Sequence, residues 1–388
     1  MRRQSGLTLV ELMITMVIFL IVIAAMSNIF VSLLGQFKQQ SQIVATNIEG
    51  AVGLEIMRRD IESAGYGLAW NLDGAAYTEA VDSGNTAQDE QDYNDGPNNN
   101  PARGTDPAGA SNPPGALRSG NNEGQGGSDV LVIKAVNIAT NSASSKWTHL
   151  HSGNTVTVWQ LPTGVPPNIE NLENNDWAIV QRFGGNDTTL VSAGGTYKAR
   201  YSAGPPAGLT AAGFAPLDST ETRVVYGIAP STAADIRMPF NRTDYYLRTP
   251  AAPADMPTKC AAGTGILYKG TVNHADGNLT ELPLLDCVAD MQVAYGLDTD
   301  GDGAVNTTTD DISTLTALEV RQQVRQVRVD ILAQEGQRDP AFTFGTNPMY
   351  VGFAGMGRSF NFTTSGITDW QRYRWRLYTI SISPDNLR

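Results

Sequence analysis

Aspartates alternate with small residues in Asp298-Thr299-Asp300-Gly301-Asp302-Gly303, and this spacing reads as a ligand set. Hard oxygen ligands from positions one, three and five can wrap a calcium ion, and glycine at position six permits the sharp turn that brings the carbonyl of Ala304 inward. Carboxylates this close repel one another unless a cation compensates them. The pattern departs from an EF-hand at position twelve, which is Thr309 rather than Glu. Closure then falls to Asp310 or Asp311, with Asn306 contributing directly or through water. The expectation is a structural calcium ion in an EF-hand-like loop between a strand and a short helix, without the flanking helix pair. Its role would be to fold the stretch between Tyr295 and Leu315 into a rigid surface.

Other reactive side chains point away from catalysis. No Gly-x-Ser-x-Gly elbow, His-Glu-x-x-His helix or Gly-x-x-x-x-Gly-Lys-Ser/Thr phosphate loop occurs, and no enzyme activity is expected. His149 and His151 would share one face of a strand, where a solvated pair is the simpler reading than a metal site. Tyr373, Trp375 and Tyr378 among Arg372, Arg374 and Arg376 read as a packed edge strand with outward arginines. Acidic residues outnumber basic ones 39 to 27, a net charge of −12 that argues against a broad nucleic-acid surface, so no nucleic acid is expected as a partner. The cysteines are Cys260 and Cys287, an even number in a chain that faces an oxidising compartment, and a disulfide between them is expected.

That compartment follows from the start of the chain. A basic leader, residues 1–6, runs into the almost uncharged stretch from Leu7 to Leu34, which is 28 residues long. A bilayer-crossing helix needs about 20 apolar residues, and the apolar region of a secretory signal has only about 7 to 15. The stretch should therefore stay in the mature protein, spanning a membrane over about 7–30 with Arg2 and Arg3 holding the N-terminus in the cytoplasm. Glu11 is the one charge within it, and a carboxylate in hydrocarbon needs a partner. Gly6-Leu7-Thr8-Leu9-Val10-Glu11-Leu12 resembles the type III signal of prepilins, with Leu7 where that family usually has Phe. The resemblance implies that a prepilin peptidase cuts between Gly6 and Leu7 and methylates the new N-terminus. It also implies that Glu11 serves assembly by neutralising the terminal amine of a neighbouring subunit.

The elements that would position these residues follow from periodicity. Val44, Ile48, Val52 and Ile56 recur every fourth residue among polar ones, which extends an amphipathic helix over 7–63 until Gly65 and Gly67 stop it. The region 64–128 is crowded with Gly, Asn, Asp, Ser and Pro and reads as a flexible low-complexity loop, either a spacer or a recognition loop. From 129 to 388 the chain reads as a β-rich head. Strands are expected at Val130 to Val136, Thr155 to Leu161, Trp177 to Phe183, Tyr197 to Tyr201, Arg223 to Ile228, Asp244 to Arg248 and Gly265 to Thr271. A further pair is expected around Val327 to Ala333 and Tyr373 to Ile382, with a short helix over Leu315 to Gln326. The fold class is α+β: a long transmembrane and amphipathic helix followed by a large, mainly antiparallel head.

The segments Leu285 to Gly303 and Val327 to Glu335 and the tail from Tyr373 to Leu387, together with the N-terminal helix, resemble PilW-type minor pilins of the type IV pilus. The resemblance implies incorporation, through the N-terminal helix, with other minor pilins and the major pilin into a tip complex that primes filament assembly. It further implies residence in the inner membrane first and in the extracellular pilus afterwards. The J-type minor pseudopilin of type II secretion shares the signal, helix and β-rich head, and a tip adhesin is a third reading.

Overall fold

The computed structural model describes residues 8–82, 90–95, 114–160, 162–164, 166, 169–184, 187–353 and 355–387. The expected cleavage site at Gly6 and Leu7 lies outside them. One helix, α1 (Leu9–Glu62), runs for 54 residues and ends at the C-cap Ser63. Gly65 and Gly67 follow with positive φ, a conformation that side chains resist, and turn the chain onto the head. Every large apolar side chain described from Leu9 to Phe37 is exposed.

The packed stripe of α1 is not the one its apolar periodicity suggests. Val44, Ile48 and Val52 face outward at 55%, 61% and 59% exposure, and only Ile56 is partly covered. The head instead covers Thr46, Gly50, Gly53, Met57, Asp60 and Ile61. Small residues win here because they let the helix backbone approach the sheet. A Cβ on Gly53 would run into the carbonyl oxygen of Leu284, and one on Gly50 would touch Leu285 and Tyr378.

Among the described residues the head holds two large sheets, whose strands are numbered along the chain. In the larger, β1 (Leu117–Gly120), β2 (Val130–Ala135), β10 (Asn241–Arg248), β11 (Gly265–Val272), β12 (Leu279–Leu297), β14 (Val324–Glu335) and β17 (Arg374–Ile382) lie side by side in that order. Short β13 (Thr307–Thr309) pairs with the end of β12, and α2 (Ala317–Gln323) leads into β14. In the smaller sheet the order is β4 (Thr155–Val156), β3 (Trp147–His151), β9 (Arg223–Ala229), β5 (Trp177–Gly184), β7 (Ala199–Ser202) and β8 (Gly208–Leu209), with β6 (Asp187–Leu190) on β5. All these pairings are antiparallel. A separate hairpin, β15 (Met349–Phe353) and β16 (Met356–Phe360), lies beside the larger sheet.

Alternation along β14 shows how the core is split. Val329 and Ile331 join Met57, Ile61, Met291 and Val293 beneath α1, whereas Leu332 belongs with Val351, Phe360, Phe362 and Trp375 on the other side. The smaller sheet curls on itself: the Val156 amide donates to the Ala207 carbonyl at 2.9 Å and Asn154 to that of Leu209 at 2.6 Å. It thereby encloses Leu150, Val180, Phe214 and Val225.

Most expected strands are present with shifted ends, but Thr155 to Leu161 shrinks to the two residues of β4. The expected helix over Leu315 to Gln326 is α2, with Val324 to Gln326 already in β14. The described parts of 64–128 are built into the head rather than looped out. Ala64, Leu68, Ala69, Leu72, Ala80 and Tyr93 are buried, and β1 is an edge strand of the larger sheet. The rest of that expected loop, residues 83–89 and 96–113, lies outside the described residues, and ion pairs add to the apolar burial. Lys134 meets Glu79 at 2.8 Å and Asp95 at 2.8 Å, Arg118 meets Asp95 at 2.5 Å, and Arg242 meets Glu79 at 3.2 Å and Asp244 at 2.7 Å. These groups are buried, and each cation stands against a carboxylate, as burial of charge demands.

Candidate assembly and metal sites

Glu11 opens α1 as the third residue after its N-cap, Thr8. Its carboxylate accepts the Thr8 amide at 2.9 Å and the Thr8 hydroxyl at 3.1 Å, while the Thr8 hydroxyl oxygen accepts the Glu11 amide at 3.3 Å. This capping box satisfies backbone donors that a helix start leaves free. The charge read as an assembly residue is thus engaged within its own chain, and both residues remain exposed. The capping role of Thr8 went unread in the sequence, though it was legible from its place three positions before Glu11.

The helix is fixed to the head near its other end. Asp60 accepts the Tyr245 hydroxyl at 2.6 Å and Lys269 Nζ at 2.5 Å, and Lys269 also donates to the Ile138 carbonyl at 3.0 Å. Burial pushes the Asp60 carboxyl up from the ordinary carboxylate range despite the opposing ammonium. The backbone amide of Asp385 and the side chain of Asn386 donate to the Glu62 carbonyl, which ties the C-terminal tail to the helix end. Lys269 could not be paired with Asp60 from sequence, since 209 positions separate them.

Cys260 and Cys287 form a disulfide with Cα atoms 4.9 Å apart. Cys287 sits at a register shift where β11 meets β12 and adopts φ +57°, so a bulge in the longest strand turns its sulfur toward the loop that carries Cys260.

The aspartate loop is the hairpin connection between β12 and β13. One carboxylate oxygen from each of Asp298, Asp300 and Asp302 lies within 4.8 Å of the others, so the loop presents a cluster that could hold a metal ion. Asp298 is buried, and Asp300 and Asp302 are exposed. The Asp298 carboxylate accepts the Gly301 amide at 2.7 Å and the Gly303 amide at 2.9 Å, and Arg325 approaches it to 3.1 Å. Burial opposes its charge, but these donors outweigh burial and hold the carboxyl below the ordinary range. Gly301 and Gly303 both have positive φ, as the turn requires. Asp302 accepts the Ala304 amide at 2.8 Å, and Asn306 Oδ1 accepts the Thr299 amide and hydroxyl, each at 3.1 Å. The expected closing residues stand elsewhere. β13 runs back along β12 to set Thr309 opposite Tyr295, which carries Asp310 and Asp311 away from the loop. Asp310 accepts the Gly357 amide at 3.3 Å and Asp311 the Ser313 amide at 2.7 Å.

A second group of carboxylates lies along β12. Asp290 is buried and binds Arg358 of β16 through both oxygens, at 2.9 and 2.7 Å. Asp129, also buried, accepts the Asn122 amide at 2.8 Å and the Val293 amide at 2.7 Å. Burial pushes its carboxyl up to about 7 against those two amides, and the charges of Asp290 and Asp310 add to the rise.

Residues 244–383 match the family described as type IV pilus-assembly protein W, and residues 1–27 match the prokaryotic N-terminal methylation motif. The first match takes in most of β10, all of β11 to β17, the aspartate loop and α2; the smaller sheet lies outside both matches. No curated protein and no solved structure matches the chain.

Proposed function

We propose, from the premise that this chain is a PilW-type minor pilin of the type IV pilus, that it is cut before Leu7, methylated there, and drawn through α1 into a tip complex that primes the filament. A prepilin-type signal and an apolar α1 suggest membrane anchoring before assembly. In the proposed order, the chain sits singly in the inner membrane with its N-terminus cytoplasmic and then passes to the extracellular pilus. The observation that carries this reading is the outward stripe Val44, Ile48 and Val52, which prolongs the exposed apolar helix well past a bilayer's thickness. Apolar surface there suits the helices of other minor pilins and the major pilin. On this reading the chain works by assembly, and its chemistry is done to it by the prepilin peptidase.

The test is co-purification of the minor pilins from cells carrying Glu11→Val. The variant should insert in the membrane at normal abundance yet recover less than about a tenth of the partner pilins. Mass spectrometry should place the mature N-terminus at a methylated Leu7, and Gly6→Val should retain the leader. An intact Met1 in assembled filaments would overturn the reading.

We further propose that the Asp298 loop takes a structural calcium ion, with Asp298, Asp300 and Asp302 as ligands and the Ala304 carbonyl and Asn306 completing the shell. Support comes from the clustered oxygens and the paired glycines. Asp310 and Asp311 follow β13 and accept the Gly357 and Ser313 amides, so on this proposal water fills the remaining positions. Calorimetry should register calcium uptake that Asp298→Ala with Asp300→Ala abolishes, and chelator should lower the melting temperature of the wild type alone. Superimposable melting curves with and without calcium would remove the ion from the account.

A further inference from the structure

The chain has six tryptophans and three histidines, and two of each fall between Trp147 and Trp159. The structure brings them together on the outer surface of the smaller sheet. Trp147, His149 and His151 point outward from alternate positions of β3, while Thr148 and Leu150 between them point inward. The chain then returns so that the Trp159 ring meets Trp147 at 5.1 Å and His149 at 6.0 Å, in each case with the planes tilted by 65°. His149 and His151 follow at 6.5 Å.

Three features mark this cluster as a built site. The Trp159 indole is held in place, and Trp147 packs against it: Trp159 Nε1 donates to the Trp147 carbonyl at 2.8 Å, and Asn171 bridges the Trp159 backbone, accepting its amide at 2.7 Å and donating to its carbonyl at 3.0 Å. Trp147 nevertheless stays 37% exposed, a costly state for a large ring that packing could have covered. Second, the exposed His151 stands beside the rings, set by the contact of its Nε2 with Thr157 Oγ1 at 2.9 Å, whereas Nδ1 of His149 is buried. Third, no charged residue occurs from Trp147 through Ile169, so the surroundings favour a neutral ligand.

We infer that this aromatic corner binds a neutral polysaccharide, one pyranose ring stacking its C–H face on Trp147 while its hydroxyls reach the exposed imidazole of His151. Indole faces carry the negative end of the ring quadrupole and attract the polarised C–H groups of a sugar, and pre-set rings lose little freedom on binding. The edge contact between the indoles gives a corner rather than a flat plate, which suits one ring at a time along a chain. This site is independent of filament assembly through α1.

The test is tryptophan fluorescence of the full-length protein in detergent, titrated with neutral hexasaccharides of glucose, N-acetylglucosamine, galactose and mannose. A polygalacturonate oligomer and a proline-rich peptide run alongside. At least one neutral sugar should quench and blue-shift the emission with saturation, and Trp147→Ala should weaken that binding about tenfold or more while leaving the melting temperature unchanged. His151→Gln, which keeps hydrogen-bonding capacity, should retain more affinity than His151→Ala. Flat titrations with every neutral sugar, equal binding by Trp147→Ala, or tighter binding of the polyanion or the peptide would each overturn the assignment.

Discussion

Asp129 holds a proton near neutrality because it is buried beside Asp290 and Asp310 with only amides facing its own oxygens. An unfolded aspartate titrates near 3.9, so between about pH 4 and 7 the folded chain binds a proton that the unfolded chain has released. The stability this supplies is complete below about pH 4 and is lost as pH rises through 7. His274 acts in the opposite sense: burial and Arg237 push it down to about 4, so its contribution is present above about 6.5 and lost on acidification. Between pH 6.5 and 8 the loss at Asp129 exceeds the gain at His274, and denaturant titrations should show about 0.4 kcal/mol lost over that interval. Asp129→Asn should flatten the slope, at the expense of one amide contact at every pH; an unchanged slope would place the titration on another group. Little of this was legible in the sequence, where Asp129 marks only the edge of a polar stretch. The aspartate loop was legible because its ligands lie within a few positions, but its closing residues were not, since they depend on where β13 turns.

At the scale of elements, α1 carries two distinct faces, and sequence periodicity identified the apolar one that remains exposed. The buried one is written in glycine, which hydropathy does not register, and its meaning appears only when Leu284 is seen against Gly53. A pair of substitutions separates the faces. Alanine at Gly53 would gain up to about 1 kcal/mol of helix propensity, but it collides with backbone and should cost a net 1–3 kcal/mol in chemical denaturation. Val52→Asp should leave stability within about 0.5 kcal/mol and instead reduce recovery of partner pilins. If both variants lost stability equally, the outward stripe would belong to the fold rather than to assembly. The expected strands of the larger sheet were legible as runs of β-branched and aromatic residues, whereas β1, β6 and β8 are short and polar or glycine-rich and took their shape from neighbours.

For the whole molecule, the described part of what composition presented as a spacer or recognition loop is fastened to the head. Glu79 and Asp95 reach Lys134, Arg118 and Arg242 across up to 163 positions, and no local pattern announces such pairs. Lys134→Met should leave both carboxylates short of a partner and cost about 3–5 kcal/mol, with faster proteolysis between residues 79 and 118 as the visible sign. Cleavage at the wild-type rate would mean the pairs do not secure the segment. The fixing of α1 has a mechanical consequence of its own. Gly50 and Gly53 sit against β12 and β17, Asp60 against β10 and β11, and the Glu62 carbonyl holds the C-terminal tail. A tug along the helix axis therefore loads these attachments together in shear, where a sideways pull would peel them one after another. Resistance to such a load is set by the rate of rupture rather than by equilibrium stability. A subunit held by its helix in a filament under tension can thus keep its head through force pulses that outlast neither the glycine contacts nor the buried Asp60–Lys269 pair.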